Sequence, residues 1–385
     1  MQFEFATATR IIFGNGRLDD IGILASEYGA PCALIVTGKR TERAKEVCEL
    51  LEERHIKYAL FSVPEEPTIE IVRRGVQKAK AAECTMVIGF GGGSALDAGK
   101  AIAALLTNGG DPLDYLEVIG KGKPITAPAA PYVAIPTTAG TGTEVTRNAV
   151  LKSPEHQVKV SLRSPLLLPR VALIDPELTH SMPPDLTAAT GLDAFTQVLE
   201  PFVSNKANPL TDAVCREGMR RVARSLRRAH EDGDDIEARE DMAIVSLFGG
   251  LALANAKLGA AHGFAGPAGG MFPAPHGAIC ARVLPDVMAA NVWALQQRDP
   301  DNPALRRYDE IAAILTGRRN ADAVEGVVWV RDLCKALNVP PLSQYGMTAG
   351  DIPTLVEKAA KSSSMQGNPI KLTPDEMQEI LNQAI

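Results

Sequence analysis

Four short, nearly continuous apolar runs punctuate the first part of the chain: ALIVTG (33–38), YALFSVP (58–64), TMVIGFGGG (85–93) and YVAIPTT (132–138). Runs of this length bounded by turn residues predict buried strands. Between them, RTERAKEVCELLEERH (40–55), TIEIVRRGVQKAKAAE (68–83) and SALDAGKAIAALLTN (94–108) repeat their apolar residues at helical spacing. Strands alternating with helices predict a parallel sheet with helices on both faces. The N-terminal stretch MQFEFATATRIIFGNG also alternates as a strand does.

The pattern changes around DPELTHSMPPDLTAATG (175–191). Beyond the Pro-Pro pair, amphipathic helical stretches follow one another at 185–203, 207–230, 236–258, 281–297, 302–315, 321–337, 349–361 and 374–384. The sequence thus predicts an α/β domain over 1–182 and an all-helical domain over 183–385, with no internal repeat.

Composition narrows the class. The 385 residues suffice for two domains, and the hydrophobic share of 45% and charged share of 22% are those of a globular enzyme. A formal charge of −6 argues against nucleic acid or an anionic membrane as partner. The basic run REGMRRVARSLRRAH (216–230) reads as a solvated face or an oligomer contact. The six cysteines are scattered without a Cys-x-x-Cys pair and read as buried small hydrophobes of a reducing compartment. With no signal-peptide core and no continuous apolar run of about 18 residues, a cytoplasmic enzyme without a membrane span is expected.

Two loops carry candidate chemistry. GFGGGSALDAGKAIA (89–103) places glycines between a strand and a helix, where backbone N–H groups can approach a phosphate. It is neither a Walker A loop nor Gly-x-Gly-x-x-Gly, and by itself a tight turn with Ser94 as N-cap explains it equally well. IPTTAGTGTEVT (135–146) follows another strand with small hydroxyl residues beside glycines. Two such loops at two strand ends fit a dinucleotide across the carboxyl edge of the sheet. In GLDAFTQVLEPFVS (191–204), Asp193 and Gln197 fall four apart on one helical face, the geometry by which a helix offers two groups to one metal ion. From these residues alone, a weakened metal site, a former one and a polar patch under a core helix all stay open.

Taken together, GGGSALDAGKAIA, PTTAGTGTEVT, LIDPELT, PPDLTAATGLDAF, HGFAGPAGGMFPAPHGAICA and NPIKLTPDEMQEIL resemble the iron-containing, or group III, alcohol dehydrogenases over essentially the whole chain. The resemblance implies a Rossmann-like N-terminal domain and an all-α C-terminal domain, the dehydroquinate synthase-like architecture, with the active site in the cleft between them. It also implies hydride transfer between NAD(H) or NADP(H) and a small alcohol, aldehyde or ketone, and a homodimer is expected. Gly92, Gly93 and Ser94 match the family's pyrophosphate loop, and Asp97 its helix acid near the cofactor. Thr137, Thr138, Thr141 and Thr146 match hydroxyls around the adenosine and nicotinamide halves. Lys159, in QVKVSLRSP, resembles the lysine that reaches the cofactor's ribose. NAD-preferring members end the first core strand with an aspartate on the adenosine ribose; here Gly38 stands there, followed by Lys39, Arg40 and Arg43. Acceptance of NADP(H), and preference for it, is therefore expected.

The family's metal, Fe²⁺ with Zn²⁺ as the alternative, is held by an Asp and a His four apart and by two later histidines fourteen apart. Asp193, His262 and His276 match three of these ligands and would supply the catalytic centre. Gln197 stands at the fourth, and an amide is a poorer ligand than imidazole, so weaker metal binding is expected. Gly266 replaces a histidine that the family commonly places four residues after the first of the late pair; a larger pocket and a different proton path should follow. His180 reads as a surface residue. The rival readings are a metal-independent reductase of the maleylacetate reductase type, a non-redox lyase of the dehydroquinate synthase type, and a non-catalytic cofactor-binding protein.

Overall fold

A computed structural model of the chain describes residues 2–156 and 158–385. Six parallel strands form one sheet: β1 (Arg10–Phe13), β2 (Cys32–Thr37), β3 (Lys57–Ser62), β4 (Met86–Gly91), β5 (Tyr132–Pro136) and, after a separate antiparallel ribbon of β6 (Asn148–Ser153) and β7 (Val158–Arg163), β8 (Val171–Ile174). Their spatial order is β1-β8-β5-β4-β2-β3. The helices of this part are α1 (Ile21–Glu27), α2 (Lys45–Glu52), α3 (Ile69–Ala81), α4 (Gly93–Asn108) and the single turn α5 (Pro112–Tyr115). Successive strand side chains point to opposite faces. Leu34, Val36 and Val87 accordingly enter one core, while Ala33, Ile35, Met86 and Ile88 enter the other. Burial on both faces explains why these strands read as continuous apolar runs.

Helix α4 starts directly at the end of β4. Tyr132 of β5 lies across Gly89 of β4 and Gly99 of α4, donating its hydroxyl to Leu96 O at 2.8 Å. A Cβ at Gly89 would fall 2.3 Å from that hydroxyl oxygen, so the close packing of α4 on the sheet depends on the missing side chain.

The remaining helices are α6 (Pro184–Val203), α7 (Pro209–Glu231), α8 (Ile236–Asn255), α9 (Ala260–Met271), α10 (His276–Arg298), α11 (Pro303–Thr316), α12 (Ala323–Ala336), α13 (Ile352–Ala360) and α14 (Pro374–Ala384). Several begin at sequence-evident capping boxes: Asn208 with Thr211, Asp322 with Glu325, Thr373 with Glu376. α10 is long and apolar enough to cross a membrane by length and composition, but 72% of its apolar window is buried. It runs through the middle of the helical core, packed on α6, α9, α12 and α14. The basic run on α7 is paired to carboxylates: Arg216 to Glu310, Arg221 and Arg224 to Asp241, and Arg228 to Asp235 and Glu237. That leaves little of its charge for a polyanion.

The chain divides into two compact units. One is the α/β unit, 6–138 with 142–179; the other is helical, 180–385, and includes residues 2–5 and the short segment Ala139–Thr141.

Candidate active site

In the α/β unit, the carboxyl ends of the adjacent strands β2, β4 and β5 carry the residues singled out for dinucleotide binding. Thr137 N donates to Gly91 O at 2.9 Å, which ties the threonine loop to the glycine loop. A Cβ on Gly92 would lie 3.3 Å from Thr138 Oγ1, and one on Gly91 would lie 3.3 Å from Gly38 N. Gly38, Gly92 and Thr138 are thus brought to one edge. Gly92, not Ser94, is the N-cap of α4, and no side chain caps this helix. Gly93 and Ser94 are its first two residues, so their amides belong to the first turn, which has no intrahelical acceptors and suits an anion. Lys39 and Arg40 are exposed beside Gly38, whereas Arg43 has its Nη2 on Leu178 O at 2.9 Å.

Asp97, Thr146 and Lys159 already have partners within the protein. Asp97 accepts from Thr143 Oγ1 at 2.5 Å and from Val150 N at 3.1 Å. Lys100, buried one turn further along α4, donates to Thr143 O, Thr143 Oγ1, Thr146 Oγ1 and Asn148 O at 2.7–3.0 Å. Burial lowers the Lys100 ammonium to about 8 against the pull of Asp97 and Glu144, and raises the buried Glu144 to about 7. This knot fastens the loop after β5 to α4. Lys159, on β7, pairs with Glu66, which Lys152 also approaches at 3.5 Å.

The helical unit holds a second buried polar cluster. Asp193, Gln197 and Glu200 lie on one face of α6, and each is 3% exposed. Glu200 Oε1 accepts from Ala261 N at 2.6 Å, so it takes up a first-turn amide of α9 that no residue of that helix caps. Its Oε2 lies 2.7 Å from His262 Nδ1. A carboxylate there accepts a hydrogen bond from Nδ1–H and turns Nε2 inward. His262 Nε2 lies 3.4 Å from Asp193 Oδ1, and His276 Nε2 lies 4.0 Å from the same oxygen. His276 opens α10, and Gly277 after it lets α10 meet α6: a Cβ there would come 2.2 Å from Ala189 O.

Gln197 Nε2 donates to Gly140 O at 3.3 Å, within the same unit. Thr141 stands beside that glycine, in the segment that groups with the helices. A Cβ at Gly266, one turn after His262, would meet nothing within 4 Å, so the position is open. His180 is half-buried, with its Nε2 buried and without a hydrogen-bond partner.

The electrostatics favour a cation. Burial opposes ionisation of Asp193, yet His262 and His276 beside it hold its carboxyl below the ordinary value. Burial also opposes charge on His262, yet Cys280, Asp193 and Glu200 raise it well above the ordinary histidine value. Asp193 Oδ1, His262 Nε2 and Gln197 Oε1 are buried with no hydrogen-bond partner. Polar atoms left without partners this deep are costly unless something binds them, and a divalent ion, displacing the His262 proton, fits that donor set.

Two residues of this cluster escape the sequence reading. Cys280 lies one turn beyond His276 on α10, and the ligand atoms of Asp193, His262, His276 and Cys280 all lie within 4.8 Å of one another. Glu200 stands seven after Asp193 on α6. The signal for both was helical spacing from a residue already singled out.

An uncapped helix at the edge of a parallel sheet suits a nucleotide phosphate, and a buried carboxylate–imidazole cluster suits a divalent ion; one chain carries both. Residues 8–176 match the model of iron-containing alcohol dehydrogenase, and residues 187–385 match the C-terminal model of the Fe-containing alcohol dehydrogenase family. The chain belongs to that family. It is 34% identical to a 1,3-propanediol dehydrogenase of Klebsiella pneumoniae, with 99% of this chain and 98% of the relative covered. It is 35% identical to alcohol dehydrogenase 4 of Saccharomyces cerevisiae, with 97% and 96% covered. A solved structure of a 1,3-propanediol oxidoreductase superposes with a TM-score of 0.92 at 34% identity over 100% of both chains. A sulfoacetaldehyde reductase of Bifidobacterium kashiwanohense, solved in complex with NAD⁺, gives 0.88 at 28% identity over 100% of this chain and 99% of that one. The protein is accordingly an oxidoreductase that interconverts a small alcohol and its carbonyl compound with a nicotinamide cofactor and a metal.

Proposed function

We propose that Asp193, His262 and His276 hold the ion, and that Gly38, Gly92, Gly93, Ser94, Thr137, Thr138 and Thr141 receive the dinucleotide. The observation that carries the reading is the set of buried, partnerless atoms at Asp193 and His262, 3.4 Å apart. When bound, the ion supplies Lewis acidity at the substrate oxygen, and the nicotinamide supplies or accepts hydride. Asp193 provides the negative charge that retains the cation. Glu200 accepts from His262 Nδ1–H and thereby fixes the direction of Nε2. Asp97, Lys100 and Thr146 hold the threonine loop in place beneath the cofactor, and Lys159 is steadied by Glu66. The open position at Gly266 leaves room for substrate and for a water to move the proton. Metal analysis of protein purified without chelator, combined with a panel of alcohols and aldehydes, tests this. Full turnover after exhaustive chelation would favour the metal-independent type.

We also propose that NADP(H) is preferred. No carboxylate stands at Gly38 to repel a 2′-phosphate, and the exposed Lys39 and Arg40 are cations beside it. A Cβ at Gly38 meets nothing within 4 Å, so Gly38→Asp fits without strain. It should shift the ratio of kcat/KM for the two cofactors toward NAD(H) by roughly 10-fold, about 1.4 kcal/mol. A wild type that already prefers NAD(H), unmoved by the substitution, would refute the assignment.

A homodimer is the proposed assembly. Trp293 on α10 and the pair Val324 and Val328 on α12 are exposed large hydrophobics on the helical unit. Sedimentation analysis tests it. The six cysteines are free and buried, which suits the reducing cytoplasm proposed as its location.

A further inference from the structure

Resting on the metal-site reading above, we propose that the fourth protein ligand is the Cys280 thiolate rather than Gln197, and that this donor set selects Zn²⁺ over Fe²⁺. The four side chains are spaced close to the edges of a tetrahedral site. With Zn–S of about 2.3 Å and Zn–N or Zn–O of about 2.0–2.1 Å, tetrahedral ligands stand about 3.3–3.6 Å apart along each edge. Here Asp193 Oδ1 and His262 Nε2 are 3.4 Å apart, His276 Nε2 and Cys280 Sγ 3.8 Å, and Asp193 Oδ1 and His276 Nε2 4.0 Å. The whole set of four lies within 4.8 Å.

Each corner is fixed by the fold. His276 and Cys280 are four apart on α10, which begins at His276, so their side chains share one face. Cys280 is 0% exposed and has no thiol or disulfide partner. Asp193 Oδ1 and His262 Nε2, both deeply buried, lack hydrogen-bond partners of their own. Gln197, the alternative, is tethered by its amide nitrogen to Gly140 O. Its oxygen is left as an acceptor for a hydroxyl or water at the ion.

The exchange is a simple ligation. The Sγ–H bond breaks, its proton passes to solvent, an Sγ–metal bond forms, and no electron is transferred. A soft thiolate beside two imidazoles suits Zn²⁺ better than Fe²⁺.

The test is Co²⁺ reconstitution of the full-length protein after chelator treatment, read by absorption spectroscopy and by elemental analysis. Wild type should bind one equivalent and show a near-ultraviolet sulfur-to-cobalt charge-transfer band. Cys280→Ala should lose the band, bind cobalt more weakly by more than the roughly 10- to 100-fold typical of an outer partner, and lose its preference for Zn²⁺ over Fe²⁺. The double variant Cys280→Ala with Gln197→His should regain affinity without regaining the band, which separates a lost ligand from a misfolded helix. Stoichiometric cobalt in wild type without the band would overturn the role of Cys280 while the metal site stands. If wild type and His262→Ala alike bind no cobalt, the metal-site reading falls, and this proposal with it.

Discussion

Two clusters of buried polar side chains occupy this molecule, one under the threonine loop of the α/β unit and one among the helices, and they are finished to different degrees. Around Lys100, the ammonium reaches four oxygens and Asp97 accepts from Thr143 and Val150. Among the described residues none of this cluster's side-chain atoms is buried without a partner. Around Asp193, three atoms are left orphaned at comparable depth. A satisfied buried network rigidifies the fold around it, whereas a partly satisfied one costs stability until a ligand completes it. The first cluster is a fastening and the second has the unfinished character of the metal receptor proposed for it, although their composition is similar: carboxylates, a cationic or basic nitrogen, and hydroxyl, amide or thiol neighbours.

The contrast can be broken most forcefully at Lys100. Lys100→Met leaves Asp97 and Glu144 without their buried counter-charge, and unfolding in urea should show a loss of roughly 3–5 kcal/mol. A loss below about 1 kcal/mol would mean that the knot is not a fastening. His276→Ala should behave in the opposite way. Its side chain is 38% exposed, so the metal-free fold should stay within about 1 kcal/mol of wild type. Metal affinity should fall more than about 100-fold, or about 2.7 kcal/mol, as measured by competition with a chromophoric chelator. Equal loss of stability and affinity in both variants would erase the distinction.

The smallest effect is one of pH. The Glu144 carboxyl, raised to about 7 from an ordinary 4.5, contributes stability that is complete below 4.5 and lost as pH rises through 7. Lys100, lowered to about 8, contributes with the opposite sign above that window, where stability rises with pH between 8 and 10.5. Glu144→Gln should therefore flatten the fall in stability between pH 4.5 and 7 and leave the rise above 8 in place. Urea midpoints across that range would show it; parallel curves for the two proteins would place the titration elsewhere.

How far these clusters are legible in the sequence depends on helix strength. α6 has a clear apolar period and an apolar run after its Pro start, so periodicity alone puts Asp193 and Gln197 on one face. α9 cannot be seen this way. Its twelve residues contain Gly263, Gly266, Gly269 and Gly270 and an internal Pro267, all poor helix formers. The helix persists because its face is buried among α10, α13 and the turn at Met365–Gly367. Periodicity likewise predicts α10 only from 281, whereas it begins at His276. That five-residue difference conceals the His276–Cys280 pair. The sheet reads well because strands buried on both faces are continuously apolar; β8, only four residues long, offers too little pattern. Lys100 is invisible as a fastening, since its four partners lie 43 to 48 residues away.

The bare backbone at Gly277 has a bearing on how this chain can vary. Because the first turn of α10 touches α6 without a side chain between them, His276 is located by that surface contact as well as by Pro275, whose carbonyl takes the Ala278 and Ile279 amides. Any side chain at 277, even a methyl, would meet Ala189 O and lever the imidazole away from α6.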